Sequence, residues 1–160
     1  MRAFAIARAT LVAAATGALM FTGTAAMAAA ASPVTTVVHE HQGTETFVDV
    51  GPECGSTELF EITVTYNSVE KQTIFADGRE HDTFTQTGTF EAVSLETGRT
   101  ATGHFTVWGG FNANGTSANG TFTFNVNGAY DDGQQISVHS VDHFSAIPTG
   151  AVFEWSKCHG

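Results

Sequence analysis

Seven histidines stand in this chain, at positions 39, 41, 81, 104, 139, 143 and 159. His39 and His41 are two apart, which on a strand puts both imidazoles on one face about 7 Å apart, within reach of one metal ion. Glu45 completes a His-x-His-x3-Glu spacing, so these three are the candidate metal ligands. His139 and His143 are four apart; a helix would bring them together, but a strand holds them about 13 Å apart, too far to chelate one ion. Around them Ile136, Val138, Ser140, Asp142 and Phe144 alternate with Ser137, His139, Val141 and His143, so neither face is wholly apolar. Either polar groups enter the core here or a bulge switches the faces. A buried Asp142 needs a partner or a raised pKa, and His104 is the candidate partner. His104, His139, Asp142 and His143 are therefore the candidate acid–base residues of a barrel enzyme. Trp108, followed by Gly109 and Gly110, is the candidate stacking platform for a small ligand at a barrel mouth.

Other chemistries find no support. There is no Gly-x-Ser-x-Gly elbow, no P-loop and no dinucleotide fingerprint. All sixteen acidic residues lie after residue 31, against only Lys71, Arg79, Arg99 and Lys157. A surface of that sign repels nucleic acid and anionic lipid. No cofactor and no tightly bound transition metal are expected. Asn114-Gly115-Thr116 and Asn119-Gly120-Thr121 match a glycosylation sequon but read as turn chemistry.

The elements that must position these residues are strands. Residues 1–31 have a basic start at Arg2 and Arg8, an apolar run over 9–21 and small-residue sites for cleavage after Ala28 or Ala31. That pattern predicts a secretory signal peptide and an exported, secreted mature chain. The run is too short for a transmembrane helix. Residues 32–160 then form one domain. In an oxidising compartment Cys54 and Cys158 most simply form one disulfide. This part is rich in Thr, Phe and Val and holds only Leu59 and Leu95, which favours strands over helices. Alternation is clear in Phe60, Ile62, Val64 and Tyr66 against Glu61, Thr63 and Thr65, and in Phe122, Phe124 and Val126 against their neighbours.

Turn signals at Asn67-Ser68, Asp77-Gly78, Thr97-Gly98, Asn114-Gly115, Asp132-Gly133 and Thr149-Gly150 divide the chain into strands near 34–50, 58–66, 69–76, 80–93, 99–112, 116–129, 134–146 and 151–156. The expected fold is all-β, a single antiparallel up-and-down barrel of about eight strands, with a two-sheet sandwich as the alternative. Gly88, Gly103 and Gly120 each stand two residues before a phenylalanine, and repeated glycine kinks favour the barrel. Phe84, Phe90, Phe105, Phe122, Phe124 and Phe144 are expected inside, with a small apolar cavity near Trp108.

The runs Gly43-Thr44-Glu45-Thr46-Phe47-Val48-Asp49 and Thr102-Gly103-His104-Phe105-Thr106-Val107-Trp108, with Pro52-Glu53-Cys54 and Lys157-Cys158, resemble a family of small exported bacterial proteins. That resemblance implies a signal, two cysteines and a β-rich domain, and it carries no activity with it. The barrel outline is similar to lipocalin-like and allene-oxide-cyclase-like folds, without their catalytic motifs. The His39, His41 and Glu45 spacing resembles the metal-binding core of cupins, although Pro33 and Pro52 replace its flanking glycines and Phe153 stands where a second histidine is needed. The expected function is a non-enzymatic binding or structural module for a small apolar ligand or an extracellular protein partner. A barrel enzyme, acid–base or cupin-like, is the alternative.

Overall fold

The computed structural model describes residues 32–147 and 150–160; the expected signal peptide and Thr149 of the last turn lie outside the described residues. The strand-forming composition yields β1 (Val34–Val50), β2 (Leu59–Ile74), β3 (Glu80–Ser94), β4 (Thr100–Ala113), β5 (Ala118–Tyr130), β6 (Gln135–Ile147) and β7 (Gly150–His159). All lie in one antiparallel sheet in chain order, so the two-sheet alternative does not form.

Seven strands replace the expected eight because the segments at 58–66 and 69–76 are one strand. Asn67 makes no turn. β1 bulges between Glu40 and Gly43, where Gln42 has φ 56°, and the Gln42 N–H donates to Asn67 Oδ1 at 3.2 Å. A bulge takes a backbone donor out of the ladder, and the asparagine on the facing strand accepts it. Four further turn pairs behave as expected: Gly78, Gly98, Gly115 and Gly133 have φ between 73° and 88°.

A flat single sheet leaves both faces wet, yet Phe60, Val64, Phe90, Phe105, Val126, Tyr130 and Val138 are each at most 7% exposed. The sheet therefore curves over its own inner face. Phe60 of β2 and Tyr130 of β5 have ring centroids 6.2 Å apart, although strands three places apart are separated by about 14 Å in a flat sheet. Gly103 and Gly128 face each other at the bend. A Cβ on Gly103 would lie 2.2 Å from Asn127 O, and one on Gly128 would lie 2.3 Å from Thr102 O, so the curvature requires both to lack side chains. The Phe90 ring lies over this pair. All six phenylalanines expected inside share the inner face.

The cross-strand row that starts at Glu40 runs through Ser68, Gln86, Val107, Phe124 and Ser140 to Cys158. Cys158 nevertheless bonds Cys54, in the connection after β1, with the Cα atoms 5.7 Å apart. That offset is what strand tilt produces in a rolled sheet. β1 and β7 are the two edges, and among the described residues no ladder joins them. The sheet is thus open where the expected barrel would close, and a covalent bond spans the gap.

Candidate functional site

The sheet separates the expected acid–base residues. Asp142 is on the inner face and 1% exposed, whereas His104, His139 and His143 are on the outer face. His139 Nδ1 is 2.6 Å from Asn125 Oδ1 and His143 Nδ1 is 2.7 Å from Thr121 Oγ1, both across the outer surface. Inside, Ser140 Oγ donates to Asp142 Oδ2 at 3.3 Å. Strand alternation at β6 is the reason: it keeps even-numbered residues inward, so two polar side chains enter the core and no histidine follows them. His104 is not the partner of Asp142.

Trp108 is also outside. It is 40% exposed in the middle of β4, between Thr85 and Thr123, so it lines no barrel mouth and no inner cavity. The expected metal triad does not assemble either. His39 and His41 stack with ring centroids 6.4 Å apart, but the Glu45 carboxylate accepts the Tyr66 hydroxyl at 2.9 Å on the inner face. Among the described residues no group of three or more histidine, cysteine or acidic side chains could hold a metal ion.

Reading β2 as one strand reveals a different cluster. Even parity continues from Tyr66 through Ser68, Glu70 and Gln72, so these share the inner face, and β3 sets Glu80 and Asp82 beside them. Gln72 pairs with Asp82, Glu70 with Phe84, and Asp82 with Phe111 on β4. Gln72 Nε2 donates to Glu80 Oε1. At the β1 bulge Tyr66 donates to Glu40 Oε2 at 3.2 Å as well as to Glu45. Burial, then the Glu45 carboxylate, pushes the Tyr66 hydroxyl pKa up, keeping it a donor. Val34, Val38 and Ile74 on the same face are 65%, 55% and 47% exposed, so this end of the concavity is open.

Asp82 is the anomalous group. It is 1% exposed, with no fully formed hydrogen bond to either carboxylate oxygen, and the side chains close enough to act on it are those of Glu80, Glu70 and Gln72. Burial foremost, then the adjoining Glu80 carboxyl and the charge of Glu70, raise its pKa from 3.8 to about 7, with Gln72 opposing. No lysine or arginine lies on the inner face of the strands among the described residues. The arrangement holds a proton near neutrality and would exchange it for another cation.

The opposite end of the concavity is filled. Arg99 lies 3.4 Å above the Tyr130 ring, pairs with Asp132 at 2.9 Å and donates to Gln134 Oε1 at 2.8 Å. Burial, then the nearby Glu53 carboxylate of the β1–β2 connection, raises the Tyr130 pKa. Glu58 accepts from Ser94 Oγ and from Thr97 Oγ1, and these bonds lower its pKa. Three connections and the disulfide meet here.

One further feature lies on the outer face: a groove of about 320 Å³ bordered by Asn125, Asn127, Ser137, His139, His159 and Gly160. Sequence reasoning missed both the inner carboxylates and His159. Period-two parity carried past Asn67 would have found the carboxylates, whereas the His139–His159 pairing depends on the register of β7 and has no local signal. Comparison with protein families, characterised proteins and solved structures finds no match for the chain.

Proposed function

We propose that this chain is an exported, disulfide-clasped open barrel that binds rather than catalyses, taking a small organic cation with an apolar body into the acidic end of its concave face. The observation that carries this reading is Asp82, buried beside Glu80 and Glu70 with no lysine or arginine on the inner face of the described strands to balance them. A buried carboxylate without a countercharge is costly, and an ammonium group relieves that cost by donating to it. Phe84 and Phe111, which pair across from Glu70 and Asp82 on the same face, would give the cation aromatic neighbours and contact for its apolar part. A purely apolar ligand fits less well, because the apolar end of the concavity is occupied by its own side chains. Catalysis lacks a converging set, since Asp142 and the histidines are on opposite faces.

Calorimetric titration with hexylammonium, hexanol and hexanoate tests this. Saturable binding of hexylammonium is expected, with hexanol weaker by about tenfold or more, as loss of a hydrogen bond to a charged group implies. Because the proton on Asp82 competes, affinity should rise as pH passes upward through about 7. Asp82→Asn should lose the preference for the ammonium ion. Equal binding of hexanol, or no saturable binding to folded protein at pH 8, overturns the reading.

A further inference from the structure

We infer that His139 and His159 form a bidentate site for an exchangeable borderline divalent ion, Cu²⁺ or Zn²⁺, on the outer face of the sheet. The site is independent of the proposed cation site, from which the sheet separates it.

The two histidines are direct partners on the antiparallel strands β6 and β7, so their side chains rise from the same face. Cα atoms of such partners stand about 4.5–5.5 Å apart, a span that lets two imidazoles meet at metal–nitrogen distances of about 2.0–2.1 Å. Both residues border the same outer groove, so the ion can be reached from solvent and can keep water in its remaining positions. Asn125 pairs with His139 from the other side, placing Asn125, His139 and His159 in one row across three strands. Asn125 Oδ1 is 2.6 Å from His139 Nδ1. An amide oxygen only accepts, so Nδ1 is the donor, and in the neutral ring Nε2 then keeps its lone pair for a metal. This is the arrangement that orients metal-binding histidines elsewhere: the second ring nitrogen is tied to an oxygen acceptor. Two neutral nitrogen donors suit Cu²⁺ and Zn²⁺ over Mg²⁺ and Ca²⁺, with Cu²⁺ the tighter. With only two protein ligands the ion exchanges instead of copurifying. His104 takes no part, because it pairs with Asn127, a strand short of His139 and in a different row.

The test is titration of the full exported chain with Cu²⁺ alone, followed by electron paramagnetic resonance. One ion per chain with two imidazole nitrogens is expected. His159→Gln should weaken the site about 30-fold and remove one nitrogen from the spectrum, while Asn125→Ala should weaken it about tenfold and leave both nitrogens in place. His39 and His41, with ring centroids 6.4 Å apart, are the competing two-histidine pair, and His39→Ala should leave the tightest site intact. In the wild-type chain, broadening of the His139 and His159 ring resonances at substoichiometric Cu²⁺ checks the assignment without any substitution. Retention of the tightest site in His159→Gln, or its loss in His39→Ala, overturns the inference.

Discussion

The two ends of the concave face are built from the same alternating strands and differ in what the inward positions hold. At the stapled end Phe60, Ala92, Ala101 and Tyr130 are each at most 3% exposed, and three connections converge on Arg99, Glu58 and the Cys54–Cys158 bond. At the open end the inward positions include Glu70, Gln72, Glu80 and Asp82, and no basic side chain on the inner face answers them among the described residues. Apolar burial at the first end supplies the stability that a buried carboxylate without a countercharge at the second subtracts. Local strain of this kind belongs where a ligand is to be held. Stability is thus concentrated at one end and function, on our reading, at the other.

The comparison breaks if the stapled end does not dominate stability. Replacing both cysteines by serine should cost on the order of 4–5 kcal/mol, since the bridge closes a loop with a sequence separation of 104. Chemical denaturation should show this as a lower midpoint with strand content retained in the native baseline. Within the core, Phe60→Ala removes a ring that is 0% exposed and should cost about 3–5 kcal/mol. Phe84→Ala, on a half-buried ring at the acidic end, should cost about 1–2 kcal/mol. Equal losses at the two phenylalanines would show that the open end is packed as tightly as the stapled one.

Asp82 sharpens the contrast because the sign of its effect is reversed. Its pKa is about 7 in the folded chain and 3.8 in the unfolded one, so between those values the folded chain binds more protons. The contribution of Asp82 to stability should therefore be most favourable in acid, fall as pH rises from about 4 to about 7, and level off above. Asp82→Asn removes this penalty and should raise stability on the order of 2–4 kcal/mol at pH 8, with little change at pH 3. The same substitution abolishes the ammonium preference. Thermal melts of the two proteins across this pH range check the stability claim, and a destabilised Asn variant at pH 8 would remove the basis for a functional open end.

Much of this was legible in the sequence. The turn glycines Gly78, Gly98, Gly115 and Gly133, the inward phenylalanines and the pairing of Cys54 with Cys158 follow from local chemistry that the fold does not override. Asn67-Ser68 misled because asparagine serves turns and bulges by the same means, a side-chain oxygen that accepts a backbone N–H. The error propagated: a turn at that point resets strand parity, which hid the inward position of Glu70 and Gln72. The inner or outer position of Asp142 was open because β6 carries polar residues on both faces. The His139–His159 pair was illegible, since it depends on long-range register with a shift between His143 and Phe144.

The smallest effect is expected on the outer face, at Trp108. Its ring is 40% exposed, with threonines as its direct partners on both neighbouring strands. Trp108→Ala removes only the part of the ring surface that the sheet covers, and should cost about 1 kcal/mol or less, far below the cost of a buried aromatic. Hexylammonium binding should be unchanged, because the sheet lies between this ring and the carboxylates. Parallel melts and titrations of Trp108→Ala and Asp82→Asn then separate the faces as the phenylalanine pair separates the ends. If the tryptophan variant loses ligand while the aspartate variant keeps it, the binding surface is the convex one, and the acidic concavity is a structural feature alone.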